Sequence, residues 1–231
     1  MRTTGLIYLL WLGVSYGAVS DAELIKARNA QDQAALERMA SQAAARADKE
    51  VSDAAAQYHA AFAESTLAEV AMEVRDKNLA HAATDAGMRM AERAVTLKPE
   101  NAEYHRIYGT LCGQAAAAVG GLGALKFGRC ALDEVNKALQ LDAKSPMNYL
   151  SRGIGNYYLP AALGGGVELA MKDFEKAAEL DRKLPEAHLW MGVALRKLNR
   201  NAEARKEFQK GVELDPSRVW AKQQLEKTPE Q

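Results

Sequence analysis

Between Pro185 and Pro216 apolar side chains recur at helical spacing in two runs. Trp190, Met191, Gly192 and Leu195 share one face, and after the polar Asn199, Arg200 and Asn201 a second face carries Ala204, Phe208, Gly211, Val212 and Leu214. The pattern predicts two amphipathic helices joined by a short polar turn. A pair this short cannot bury both faces alone, so neighbouring pairs must stack on it and supply the missing core. Elsewhere the periodicity is looser. From Asp21 to about Ser52, Leu24, Ala27, Leu36, Met39, Ala43 and Ala47 form one thin stripe in a stretch free of Gly and Pro, which predicts a single long helix. Tyr58, Phe62, Leu67, Val70, Met72 and Val74 make a richer stripe and predict a better buried helix over 53–75. Another runs from Asn78 to Leu97, before Pro99. Near the end, Ser217 is read as the cap of a last helix from Arg218 to about Lys227, with Trp220 and Leu225 turned inwards to close the stack.

The stretch 185–216 resembles a tetratricopeptide repeat, the helix-turn-helix family with a period of about 34 residues. Counting Pro185 as position 1, Gly192, Ala204, Phe208 and Pro216 fall where the family prefers Gly, Ala, a large aromatic and Pro. Small residues there let two helix backbones approach, the aromatic fills the remaining gap, and Pro ends the second helix. His188 stands where the family usually has Trp, and Gly211 where it usually has Ala.

The same register extends backwards. In 146–182, Ser145 caps a helix that begins at Pro146, and Gly153, Ala170, Phe174, Ala177 and Leu180 fill the packing positions. Five additional residues lie between the helices, where Pro160 stops the first and Gly164, Gly165 and Gly166 allow the turn. In 102–143, capped by Asn101, Gly109, Ala131, Val135, Ala138 and Leu141 serve after ten additional residues, which predicts a longer, protruding pair turning near Gly120 and Gly121. A degenerate unit over about 68–99 has Gly87, Ala91, Ala94 and Pro99 in register, but Arg75 occupies the position that should be small. The resemblance thus implies repeats over 78–216, preceded by Ala-rich helices over 21–77 and followed by a cap over 217–231. Together these predict an all-α, right-handed superhelical α-solenoid with a long N-terminal helix.

Composition agrees with helix. The 231 residues are 48 % apolar and 26 % charged, which says globular rather than disordered, and Ala-rich, Pro-poor sequence favours close-packed helices. Thirty basic residues balance thirty acidic ones, so no net field draws the chain to nucleic acid or anionic lipid. At the start, Arg2 precedes an apolar run from Gly5 to Val14, and Ala18 and Ser20 are small residues at the positions a signal peptidase reads. This predicts a signal peptide cleaved after Ser20 and a periplasmic or secreted chain without stable membrane insertion, because the run is shorter than the roughly 20 residues that span a bilayer.

Chemistry-bearing residues are sparse. If the longest pair turns near Gly120, Cys112 faces residues near Cys130, so an exported chain could bridge them; the alternative is two buried thiols. His59, His81, His105 and His188 are scattered, without ligand spacing, and His105 and His188 occupy one repeat position that packing explains. The Gly-rich stretches lack the order of phosphate-binding loops. No catalytic residue, cofactor or metal site is assigned.

In the family, first helices of successive repeats line a concave groove for a partner segment. Mapped onto this chain, that groove takes Arg106, Thr110, Gln114, Met147, Leu150, Tyr157, Tyr158, Trp190, Arg196 and Lys197. Aromatic and aliphatic anchors beside basic side chains suit a segment with apolar side chains and a carboxylate. The resemblance implies a scaffold that binds a protein or peptide. The signal sequence and the Leu159-Pro160 turn also resemble exported bacterial members that accompany transporters, which leaves an accessory ligand-binding component as the alternative. Pairing of two copies through the N-terminal helix is a third reading.

Overall fold

A computed structural model of the chain describes residues 19–119 and 123–230. Nearly all of the expected signal peptide, and the expected turn at Gly120 and Gly121, lie outside the described residues. Within them the chain is an α-solenoid of helices, with a single 3-10 turn at Ala161–Leu163 and no strand.

Capping residues set the helix starts. Ser20 opens α1 (Asp21–Asn29) by accepting from the Glu23 backbone N–H while the Glu23 carboxylate accepts from the Ser20 N–H, a reciprocal box. Asp32 opens α2 (Gln33–Lys49) by accepting from the Ala35 N–H. The single long N-terminal helix is therefore not formed. Gln31 adopts φ 54°, and the chain breaks between Asn29 and Gln33. The reason is tertiary: a continuous helix over this thin stripe would bury little, whereas the break lets Leu24, Ala27, Leu36 and Ala40 all pack with Leu67 and Val70 of α3 (Ala54–Glu73).

Four antiparallel pairs follow: α3 with α4 (Lys77–Leu97), α5 (Ala102–Val119) with α6 (Gly123–Leu141), α7 (Pro146–Tyr158) with α8 (Val167–Leu180), and α9 (Pro185–Lys197) with α10 (Asn201–Leu214). The helix α11 (Val219–Lys227) ends the stack. Asn101 and Ser145 cap as read, accepting from backbone N–H groups of their first turns. Ser217 does not cap α11; its hydroxyl donates to Asp215 at 2.5 Å. Arg75 is likewise no packing residue. It sits in the α3–α4 turn at φ 67°, and the first helix of that pair begins at Ala54, which brings the small, fully buried Ala61 into the cluster holding Ala91. The longer helix simply shifts the small position towards its own start.

Large-against-none packing holds the last two pairs. A Cβ added at Gly153 would lie 2.5 Å from the Phe174 ring, and one at Gly192 would lie 2.7 Å from the Phe208 ring. Both rings are fully buried, so each glycine is the hole that its aromatic fills. In the α5–α6 pair, Cys112 and Cys130 are joined by a disulfide with Cα atoms 5.8 Å apart.

Candidate functional site

First helices of successive pairs lie side by side, α3 beside α5, α5 beside α7 and α7 beside α9. The row curves until its ends touch. Arg28, at the end of α1, meets Glu186, at the start of α9, at 2.5 Å. Asn29 donates to Asp215 at 2.7 Å and to the Ser217 hydroxyl at 2.9 Å. Arg218 donates to Glu69 at 2.8 Å, to Glu73, and to the Arg28 carbonyl at 3.2 Å. The expected groove face runs along these first helices.

Much of that face is occupied by the chain's own contacts. Arg106 is 6 % exposed and spends its guanidinium on Glu103 through two hydrogen bonds of 2.7 and 2.5 Å. Burial pulls Arg106 towards losing its proton, but the hydrogen bond and charge of Glu103 overcome this and hold it above its ordinary range. Thr110 donates to the Arg106 carbonyl and to Ser151, and Gln114 exchanges hydrogen bonds with the Ser65 carbonyl and hydroxyl. These three residues stitch α3, α5 and α7 together. Leu150 is core and Met147 packs on its edge. Arg196 donates to the Gln224 side chain at 2.6 Å and reaches the Gln224 carbonyl and Thr228, so it holds α11 in place and is not a groove cation.

Four of the expected residues do converge. Tyr157 and Trp190 ring centroids lie 5.9 Å apart, Tyr158 and Trp190 6.2 Å, and Tyr157 and Tyr158 meet edge-on at 5.0 Å. Tyr158 is 59 % exposed. The exposed Lys197 places Nζ 4.2 Å from the Tyr157 ring centroid and donates to the Tyr157 carbonyl at 3.0 Å. Trp220 of α11 joins from the far side, 5.7 Å from Trp190. Sequence periodicity places Trp220 only as an inward-facing cap residue, because nothing local shows which repeat a terminal helix folds onto.

His105 and His188 pack, whereas His59 and His81 stand half exposed beside Asp21 and Asp85. His105 Nδ1 lies 2.6 Å from Glu134 and Nε2 2.8 Å from the Pro99 carbonyl, and His188 Nδ1 lies 2.8 Å from Glu207, so each ties a first helix to its second. Among the described residues no cluster of His, Cys, Asp or Glu could hold a metal, and no helix is long and apolar enough to cross a membrane.

Two buried carboxyls carry strain of an electrostatic kind. Burial raises Glu64 to about 7 against the weaker opposing charge of Arg89. Burial and the neighbouring Glu69 raise Glu73 to about 7, opposed by Arg218. A raised folded-state value means that the folded chain binds the proton more tightly than the unfolded chain. Stability from these groups is therefore complete below the ordinary carboxyl range and is lost as pH rises through about 7. Glu64→Gln is expected to raise stability at pH 8 by roughly 1–3 kcal/mol. It should also flatten the fall in melting temperature between pH 6 and pH 8, as followed by circular dichroism.

A family model described as "Regulator of microtubule dynamics protein 1-3" matches residues 11–159, and a tetratricopeptide repeat model matches 185–218. Regulator of microtubule dynamics protein 3 of Mus musculus is 28 % identical over 144 residues, covering 55 % of this chain and 31 % of that protein. Small glutamine-rich tetratricopeptide repeat-containing protein 2 of Mycosarcoma maydis is 32 % identical over 101 residues, covering 44 % of this chain and 27 % of that protein. The chain thus spans less than a third of the length of these curated relatives. A crystal structure of a thermophilic tetratricopeptide repeat protein from Thermus thermophilus superposes with a TM-score of 0.56 at 18 % identity, over 84 % of this chain and 90 % of that one. That likeness is one of fold. The repeat fold and the relatives together suggest a protein-interaction scaffold.

Proposed function

The chain belongs to the regulator of microtubule dynamics protein 1-3 family, and from that premise we propose that it is an exported, non-catalytic scaffold that receives a partner segment on its concave face. The observation that carries this reading is the patch of Tyr157, Tyr158 and Trp190 with Lys197 beside it. A cluster of edge-on rings that is half open to solvent supplies large contact area at low conformational cost, and an adjacent ammonium selects for a carboxylate. The partner is accordingly a peptide or protein segment presenting an apolar side chain next to an acidic group. Arg106, Thr110, Gln114 and Arg196 contribute by holding the framework, since their polar groups are already engaged. Export rests on Arg2, the apolar run 5–14 and the small residues at Ala18 and Ser20.

Capture from an envelope fraction tests both parts. Tyr158→Ala and Lys197→Glu are each expected to weaken retention of the partner by roughly tenfold, the scale of an interface anchor. Equal retention by both variants would remove the patch from the site. The chain isolated from that fraction should begin at Asp21, and a chain still carrying Met1 would count against export. A bound small molecule found by native mass spectrometry would turn the reading towards a ligand-binding accessory component.

A further inference from the structure

The two ends of the solenoid are tied by polar side chains across great distances in sequence. Arg28 to Glu186 spans 158 residues, and Gln223 donates to Gln31, 192 residues away, at 2.9 Å. Between them stand Asn29 with Asp215 and Ser217, and Arg218 with Glu69 and Glu73. In a solenoid each unit otherwise touches only its neighbours, so overall curvature is set by small rotations at many interfaces and is a soft coordinate. A tie between first and last units acts on that coordinate with the whole length of the stack as its lever.

This tie differs from the rest of the core in being almost wholly polar. The last two pairs close on Phe174 and Phe208, which lose their apolar burial if parted. At the tie, by contrast, opening returns ions and amides to water, which offsets the hydrogen bonds given up. The closed form also carries a deficit: Arg218 is buried with its Nε lacking a hydrogen-bond partner among the described residues. Such a contact costs little net free energy to open.

It also reaches the aromatic patch. The Arg218 guanidinium sits 5.7 Å over the Trp220 ring, and Trp220 lies 5.7 Å from Trp190, which in turn meets Tyr157 and Tyr158. Resting on the function proposed above, we propose that the contact of Arg28, Asn29 and Gln31 with Glu186, Asp215, Ser217, Arg218 and Gln223 is a clasp that keeps the solenoid curled. In that state Trp220 stays against Trp190, where it occupies part of the partner site from within. Releasing the clasp lets the start of α11 move and uncovers Trp190. By reciprocity, a partner that takes the Trp190 face loosens the clasp.

The test needs no partner. Small-angle scattering and tryptophan emission of the full chain are compared for the unaltered protein, Arg28→Glu, and the exchange Arg28→Glu with Glu186→Arg. Arg28→Glu is expected to increase the radius of gyration, as a hinge opening does, and to shift emission to the red as Trp220 leaves Trp190. The exchange restores both in part, because Glu69 and Glu73 still face position 28. Asn29→Ala, which removes the hydrogen bonds to Asp215 and Ser217 and the two that Arg28 donates to the Asn29 side chain without reversing a charge, should shift both quantities in the same direction by less. Circular dichroism reports helix content, and an opening has to leave it unchanged. Unaltered dimensions and emission in Arg28→Glu and Asn29→Ala would overturn the clasp, as would an exchange that restores neither. If the clasp opens as expected while Tyr158→Ala leaves partner capture intact, the clasp stands and the site assignment falls.

Discussion

Phe174→Ala is expected to lower the unfolding free energy by about 4 kcal/mol, near the upper end for a single core truncation. The ring fills the space that Gly153 leaves between α7 and α8, and it touches Trp190 at a centroid distance of 6.1 Å. Rigid helices cannot collapse into the hole, so the cost is the lost transfer of the ring plus the cavity. Urea unfolding followed by the helical circular dichroism signal measures it. Because solenoid units lean on their neighbours, hydrogen exchange should quicken first in α7 to α10 and least in α3 and α4. A loss below about 1 kcal/mol would mean that the α7–α8 contact is looser than its geometry implies.

The second large effect is expected from Cys112→Ala with Cys130→Ala, which should cost about 3 kcal/mol, the loop-closure value for a bridge of this span. The two residues are 18 apart, and their bond joins α5 to α6. Its removal frees the unfolded chain and leaves that pair held by Gly109 against Val135 and by the His105–Glu134 contact. Thermal melts of the oxidised protein and the double variant give the difference. Adding reductant should move the first towards the second and leave the second unchanged.

Local chemistry makes most of the architecture legible. The Gly192–Phe208 and Gly153–Phe174 complements can be read from spacing, because a hole and its filler sit at fixed offsets within one helix pair. So can the caps at Asn101 and Ser145 and the stop at Pro160, which act within a turn of their own residues. Periodicity predicts one N-terminal helix where two form, and the reason is physical. The stripe is equally compatible with one helix or two, and the break at Gln31 is decided by the packing of Leu24, Ala27, Leu36 and Ala40 on Leu67 and Val70 of α3. The degenerate unit escapes the repeat register because a first helix lengthened at its start carries its small position, Ala61, outside the expected window.

The candidate site divides along the same line. Tyr157, Tyr158, Trp190 and Lys197 belong to adjacent repeats in a common register, so periodicity alone can bring them together. Whether a polar groove residue is free is another matter: Arg106 is consumed by a neighbour on its own helix, Gln114 by the adjacent first helix, and Arg196 by the cap. The amino-acid sequence by itself determined the helices of the last three pairs, their pairing and the complementary packing that holds them, since those depend on neighbours within about 40 residues. Only the tertiary structure decided the closure of the stack, the arrival of Trp220 at Trp190 and the exhaustion of most groove cations. Those follow from small rotations summed over every interface, and no single repeat encodes the sum.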